Sequence, residues 1–164
     1  MTHVTRGRAQ VGALLAFAVL SVACHAQDAW PSFRGDSGLT GVSASHLPDQ
    51  PDVLWTYAAN APITATVAIA GERVYASAVD GGLHAVALHD GEFVWRYDAG
   101  APLNAAPAYA DGVVYVGAED GVFHAVDAET GQERWTFTTQ GEIASAANIV
   151  DGLVVFGSYD QFLY

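Results

Sequence analysis

From residue 52 onward, short apolar stretches alternate with pairs of turn-forming residues, and within many stretches apolar and small side chains take every second place. That period is the mark of half-buried β-strands. Strands are predicted at 63–70, 73–79, 82–88 and 93–98, at 104–110, 113–119, 122–127 and 133–138, and at 143–150 and 153–159, with a lone strand at 52–57. The breaks carry hairpin chemistry. Gly71-Glu72, Asp111-Gly112 and Asp151-Gly152 close the first turn of each unit, and Asp80-Gly81 and Asp120-Gly121 the second. His89-Asp90-Gly91 and Glu129-Thr130-Gly131 close the third.

The pattern repeats. Trp55, Trp95 and Trp135 stand 40 residues apart, and 55–94 aligns with 95–134 without a gap. The shared residues include Ala61-Pro62 and Ala101-Pro102, Val74-Tyr75 and Val114-Tyr115, and His84-Ala85-Val86 and His124-Ala125-Val126. A period near 40 built from four short strands predicts an all-β fold, a β-propeller of four-stranded antiparallel blades. The chain then holds two whole blades, a three-strand third blade and the lone strand 52–57. Propellers close with roughly four to eight blades, so the sequence is expected to be an N-terminal fragment of a larger ring. Three segments follow: a signal segment at 1–26, an extended lead-in at 27–51 rich in Pro, Gly, Ser and Asp, and propeller repeats at 52–164.

The first segment has a basic start, Arg6 and Arg8, then an apolar run from Val11 to Ala23 that is short for a membrane span. Cys24-His25-Ala26 offers small residues for cleavage before Gln27. Val22-Ala23-Cys24 offers a competing lipid attachment at Cys24, with Ser21 where such a site usually has Leu, and an uncleaved anchor is the third alternative. In each case the domain is exported to the periplasm or cell envelope.

Charge narrows the partners. The chain has six Arg and no Lys against 18 acids, and removal of 1–26 takes two of the Arg, leaving a net −14. So acidic a surface repels nucleic-acid backbones and anionic lipid, so neither is an expected partner. Membrane contact is expected only through a lipid on Cys24. With Cys24 the single cysteine, no disulfide framework or Cys-based metal site forms within the chain.

Ala125 to Trp135 reads Ala-x-Asp-x-x-Thr-Gly-x-x-x-Trp, and Ala85, Gly91 and Trp95 keep part of it, with Ala87 and Asp90 at the Asp and Thr places. It resembles the tryptophan-docking motif of the pyrroloquinoline-quinone (PQQ) quinoprotein-like propellers. Trp30-Pro31-Ser32-Phe33-Arg34-Gly35-Asp36 resembles the opening of exported PQQ-like repeat proteins, among them BamB-like proteins of outer-membrane assembly. The resemblance implies a non-catalytic scaffold that meets a protein partner through propeller loops. It alternatively implies the first part of a PQQ-dependent dehydrogenase, whose calcium ligands, catalytic Asp and vicinal Cys pair are not identifiable in these repeats.

The residues themselves suggest structural work. Trp95 and Trp135 are expected to wedge between blades, and Asp127 and Thr130 to brace the turn at Gly131. Trp30 and Phe33 are expected to pin the lead-in over the propeller face. His84 and His124 share a blade position with Tyr164, which argues for an aromatic ring with a polar tip rather than a metal ligand. Asp80, Asp120 and Asp160 recur as turn formers rather than calcium ligands. No residue is assigned as catalytic, cofactor-binding or metal-binding, and no cofactor is expected unless further blades supply ligands.

Overall fold

The computed structural model describes residues 29–36, 38–43, 45–46 and 48–164, so the signal segment and its cleavage sites lie outside the described residues. Every regular element described is a strand. Blade one is β1 (Ala68–Ala70), β2 (Arg73–Ser77), β3 (Gly82–Ala87) and β4 (Phe93–Asp98). Blade two repeats it with β5 (Ala108–Ala110), β6 (Val113–Gly117), β7 (Val122–Asp127) and β8 (Glu133–Thr138). The third blade holds β9 (Asn148–Val150) and β10 (Leu153–Val155). Within each four-stranded sheet neighbours in sequence are neighbours in space, all antiparallel.

Burial follows this stacking. The middle strands β2, β3, β6 and β7 are almost wholly buried, because each sheet has a neighbour on one or both faces. The core between blades one and two is built from Tyr75, Leu83, Trp95, Leu103, Val114 and Val126 among others. Phe123, Ile143, Ala147 and Phe156 form a second core between blades two and three, with the Phe123 and Phe156 rings stacked at 3.9 Å. The strands β1, β5 and β9 approach one another and mark the inner side.

Three expectations need correction. The first strand of each blade is only its last three residues, 68–70, 108–110 and 148–150, rather than eight or so. The preceding Ala-Pro segments instead tie blades together: Glu119 N–H donates to Pro102 O, and Leu103 N–H donates to Ala78 O of the blade before. Prolines 62, 102 and 107 have no N–H to offer a ladder, which favours this irregular path. Secondly, 52–57 is not a strand, because no neighbouring chain among the described residues pairs with it. Thirdly, the third blade has two strands; its next segment contributes only a bridge between Gly157 and Leu163.

The hairpin chemistry is as the sequence implies. Asp111-Gly112 and Asp151-Gly152 carry positive φ at both central positions, 47° and 78°, then 50° and 75°. That is the requirement of a type I′ turn.

Candidate functional site

The residues that recur along the chain meet at the junctions between blades. At the first junction the Trp55 indole N–H donates to Leu88 O at 2.9 Å, and at the second the Trp95 indole N–H donates to Ala128 O at 3.1 Å. Each ring lies on the third turn of the next blade. A Cβ at Gly91 would stand 2.5 Å from Trp55, and one at Gly131 2.7 Å from Trp95, so only glycine admits the ring. A register shift beside each Trp, between Ala85 and Val86 and between Ala125 and Val126, leaves one extra residue before it and turns the strand there.

The turn itself is braced as expected. Asp127 accepts from the backbone N–H groups of Glu129 and Thr130 and from the Thr130 hydroxyl, and Thr130 accepts from Gln132 N–H. A further partner not expected from the local motif is Arg134, whose guanidinium reaches Asp127 at 2.7 Å and 3.1 Å. Arg134 and the Thr130 donors hold the Asp127 carboxyl well below the usual carboxylate range. Arg73 was also missed: it bonds Ala128 O across the junction and pairs with Glu129 at 2.9 Å.

Trp135 departs from expectation. It is 43% exposed, and among the described residues no third turn receives it as the Gly91 and Gly131 turns receive Trp55 and Trp95. It packs instead on Tyr115 and Phe123 of its own blade. With Phe137, Val154, Phe156 and Tyr164 it lines an open apolar cleft of about 480 Å³.

Asp80, Asp120 and Asp160 each accept a backbone N–H two residues ahead, from Gly82, Val122 and Phe162 at 3.0–3.1 Å. They are turn formers in three separate turns. Among the described residues no group of three or more His, Cys, Asp or Glu is placed to hold a metal ion.

His84 and His124 are not brought together; each lies in its own blade and meets a tyrosine from the Trp-bearing segment that precedes that blade. Tyr57 OH lies 3.0 Å from His84 Nδ1, and Tyr97 OH 3.0 Å from His124 Nδ1. In the third unit the same places hold Phe137 and Tyr164, edge to face at 5.4 Å. Tyr57, Tyr97 and Phe137 stand two residues after successive tryptophans, so their exchange in step with His, His and Tyr was the available signal.

The lead-in crosses the inner side. Trp30 exchanges both backbone bonds with Ile69 of β1 at 2.8 Å, and Pro31 O accepts from Tyr109 N–H of β5 at 2.7 Å. Phe33 and Leu39 then border an axial cleft of about 430 Å³ whose polar groups are Thr64, Thr66, Asn104, Ser145 and Asn148. The residues that line it carry no charged side chain. On the outer side, β4 and β8 leave one edge without a strand partner among the described residues, with Phe93, Val94 and Phe137 exposed along them.

The sequence matches, over residues 44–163, the family described as outer membrane protein assembly factor BamB. No curated protein matches the chain. Among solved structures, quinohemoprotein alcohol dehydrogenase ADHIIG from Pseudomonas putida HK5 superposes with a TM-score of 0.70 at 24% identity, covering 80% of this chain and 23% of that one. BamB from Moraxella catarrhalis gives 0.60 at 24% identity, covering 67% and 38%. Quinohemoprotein alcohol dehydrogenase from Comamonas testosteroni gives 0.65 at 25% identity, covering 79% and 23%. The chain thus spans about a quarter to two fifths of the length of these neighbours, and what it shares with them is the propeller fold.

Proposed function

This chain belongs to the family of the outer membrane protein assembly factor BamB, and on that premise we propose that it is an exported, non-catalytic propeller that holds a protein partner of outer-membrane assembly. The observation that supports the reading is the outer rim. In β4 the ladder edge away from β3 is unpaired, Phe93 is 59% exposed, and Val94 beside it is exposed as well. An open strand edge with exposed apolar side chains is a hazard unless something covers it. Addition of a partner's strand satisfies the backbone groups and seats the apolar side chains at once. The residues that recur at every junction, by contrast, are engaged in holding blades together.

Export rests on the first 26 residues. N-terminal sequencing of the processed protein should begin at Gln27; a diacylglyceryl-modified Cys24 would give the lipoprotein form instead. Intact Met1 on cytoplasmic protein would sink the export reading.

The function is tested in the source cell. Loss of the gene should lower the amount of folded outer-membrane β-barrel proteins, the wild-type gene should restore it, and Phe93→Asp should restore it poorly at equal protein level. Unchanged barrel levels on loss of the gene would refute the reading.

The likeness to quinohemoprotein alcohol dehydrogenases favours a second reading, the first part of a PQQ-dependent dehydrogenase. The uncharged lining of the axial cleft counts against it. Stoichiometric quinone absorbance retained by the protein after incubation with PQQ and calcium, and lost with a chelator, would decide for it.

A further inference from the structure

We propose that the Tyr57–His84 and Tyr97–His124 pairs are proton-sensitive clasps between successive blades, and that mild acid loosens these two junctions while sparing the Phe137–Tyr164 junction.

The geometry carries this. Both histidines are buried, 3% and 4% exposed, and each bonds across a junction through Nδ1 only. Each Nε2 is buried without a partner. At the second junction the hydrogen-bond order is fixed by a third group. Tyr97 OH donates to Glu133 Oε2 at 2.6 Å, so its oxygen accepts from His124 Nδ1–H. His124 Nε2 is then the bare nitrogen, and it is the atom an added proton must take. The new N–H would face no acceptor, in a place closed to water.

The surrounding charges differ at the two sites. His84 lies opposite Arg96 across β3 and β4, with Asp80 in the adjoining turn and Ala76 on β2. His124 lies opposite Thr136 across β7 and β8 and Val116 on β6, with Asp120 and Glu133 as the nearby carboxylates. Burial is the leading influence on both rings and pulls both below the ordinary imidazole value of 6.5. Arg96 adds to the effect at His84, whereas Asp80 there, and Asp120 and Glu133 at His124, oppose it without reversing it.

The sign follows. The unfolded chain binds protons at these rings more readily than the folded one, so the full stability is present above about pH 6.5. It is lost as pH falls below that value and levels off once the folded rings are themselves protonated. Each tenfold loss in the folding constant, ~1.4 kcal/mol, lowers the melting temperature by roughly 3–6 °C in a chain of this size. Phe137 and Tyr164 carry no group that titrates in this range, and Tyr164 OH donates to Asp160 at 2.8 Å within its own blade.

The chain supplies its own control. Installing the third junction's pair at the other two, with Tyr57→Phe, His84→Tyr, Tyr97→Phe and His124→Tyr, should remove most of the fall in melting temperature between pH 7.5 and 5.5. An equal fall in this variant would overturn the proposal. Imidazole NMR on the unaltered chain gives a direct reading that survives a variant that does not fold. The His84 and His124 rings should titrate below 6.5, and indole or amide signals around Trp95 should move with them. Ring titration at or above 6.5 would overturn the proposal equally.

Discussion

Trp95→Ala is the most informative single perturbation of the blade junctions. The ring is 7% exposed, tilted against Tyr75 at 5.9 Å, pressed on the Gly131 turn and bonded to Ala128 O. Truncating a buried tryptophan costs about 3–5 kcal/mol through lost transfer energy and the cavity left behind. The bond itself adds little, since Ala128 O keeps the Arg73 donor and is not orphaned. Trp135 occupies the same repeat position but is 43% exposed, so the same truncation there should cost roughly half as much, about 1.5–2.5 kcal/mol. Equilibrium urea unfolding of the two variants, followed by far-ultraviolet circular dichroism, makes the comparison. With a slope of about 1–3 kcal/mol per molar urea, the midpoint of Trp95→Ala should lie at least about 0.5 M below that of Trp135→Ala. Equal midpoints would show that a tryptophan is stabilised by its own blade rather than by the turn it docks on, and would refute the account of the junction.

Gly131→Ala should lower the melting temperature more than Gly112→Ala. Both glycines have positive φ, 71° and 78°, which costs a side chain about 1–2 kcal/mol, but a Cβ at Gly131 also strikes Trp95 whereas one at Gly112 meets only Arg134 at 3.8 Å. Asp127→Asn should destabilise the chain at neutral pH and flatten its acid limb. The Asp127 carboxyl is held below its ordinary value of 3.8, so its contribution is present above that pH and lost as pH falls beneath it; an acid limb of unchanged steepness would count against the Arg134–Asp127 pair.

The outer strands were legible to the residue. The predicted 93–98 and 133–138 are the observed β4 and β8, because a Trp-bearing alternating run bounded by a Gly turn leaves little freedom. The inner strands were not. Ala-rich runs such as 104–110 read as extended, but whether an extended run joins a ladder depends on what lies beside it. Pro102 and Leu103 find their partners in turns of their own and the preceding blade rather than in a strand. The same limit applies to Trp135, whose local sequence matches Trp95 while its surroundings do not. At the junctions, Asp127, Thr130 and Gly131 announced their turn through local bonding, whereas the Arg73 and Tyr97 contacts span 55 and 27 residues and leave no local trace.

The crossing of the lead-in bears on how the chain assembles. The tryptophan-to-turn bonds close loops of 33 residues, the same at each junction, so blades add to one another by a uniform, local step. The lead-in closes two larger loops at adjacent residues, Trp30 to Ile69 and Pro31 to Tyr109, the second enclosing twice the chain of the first. Doubling a loop costs only about 0.6 kcal/mol in closure entropy, so once the first bridge has formed the second comes nearly free. An array of this kind would otherwise fray blade by blade. A single extended segment laid across two inner edges should therefore make the first two blades melt together.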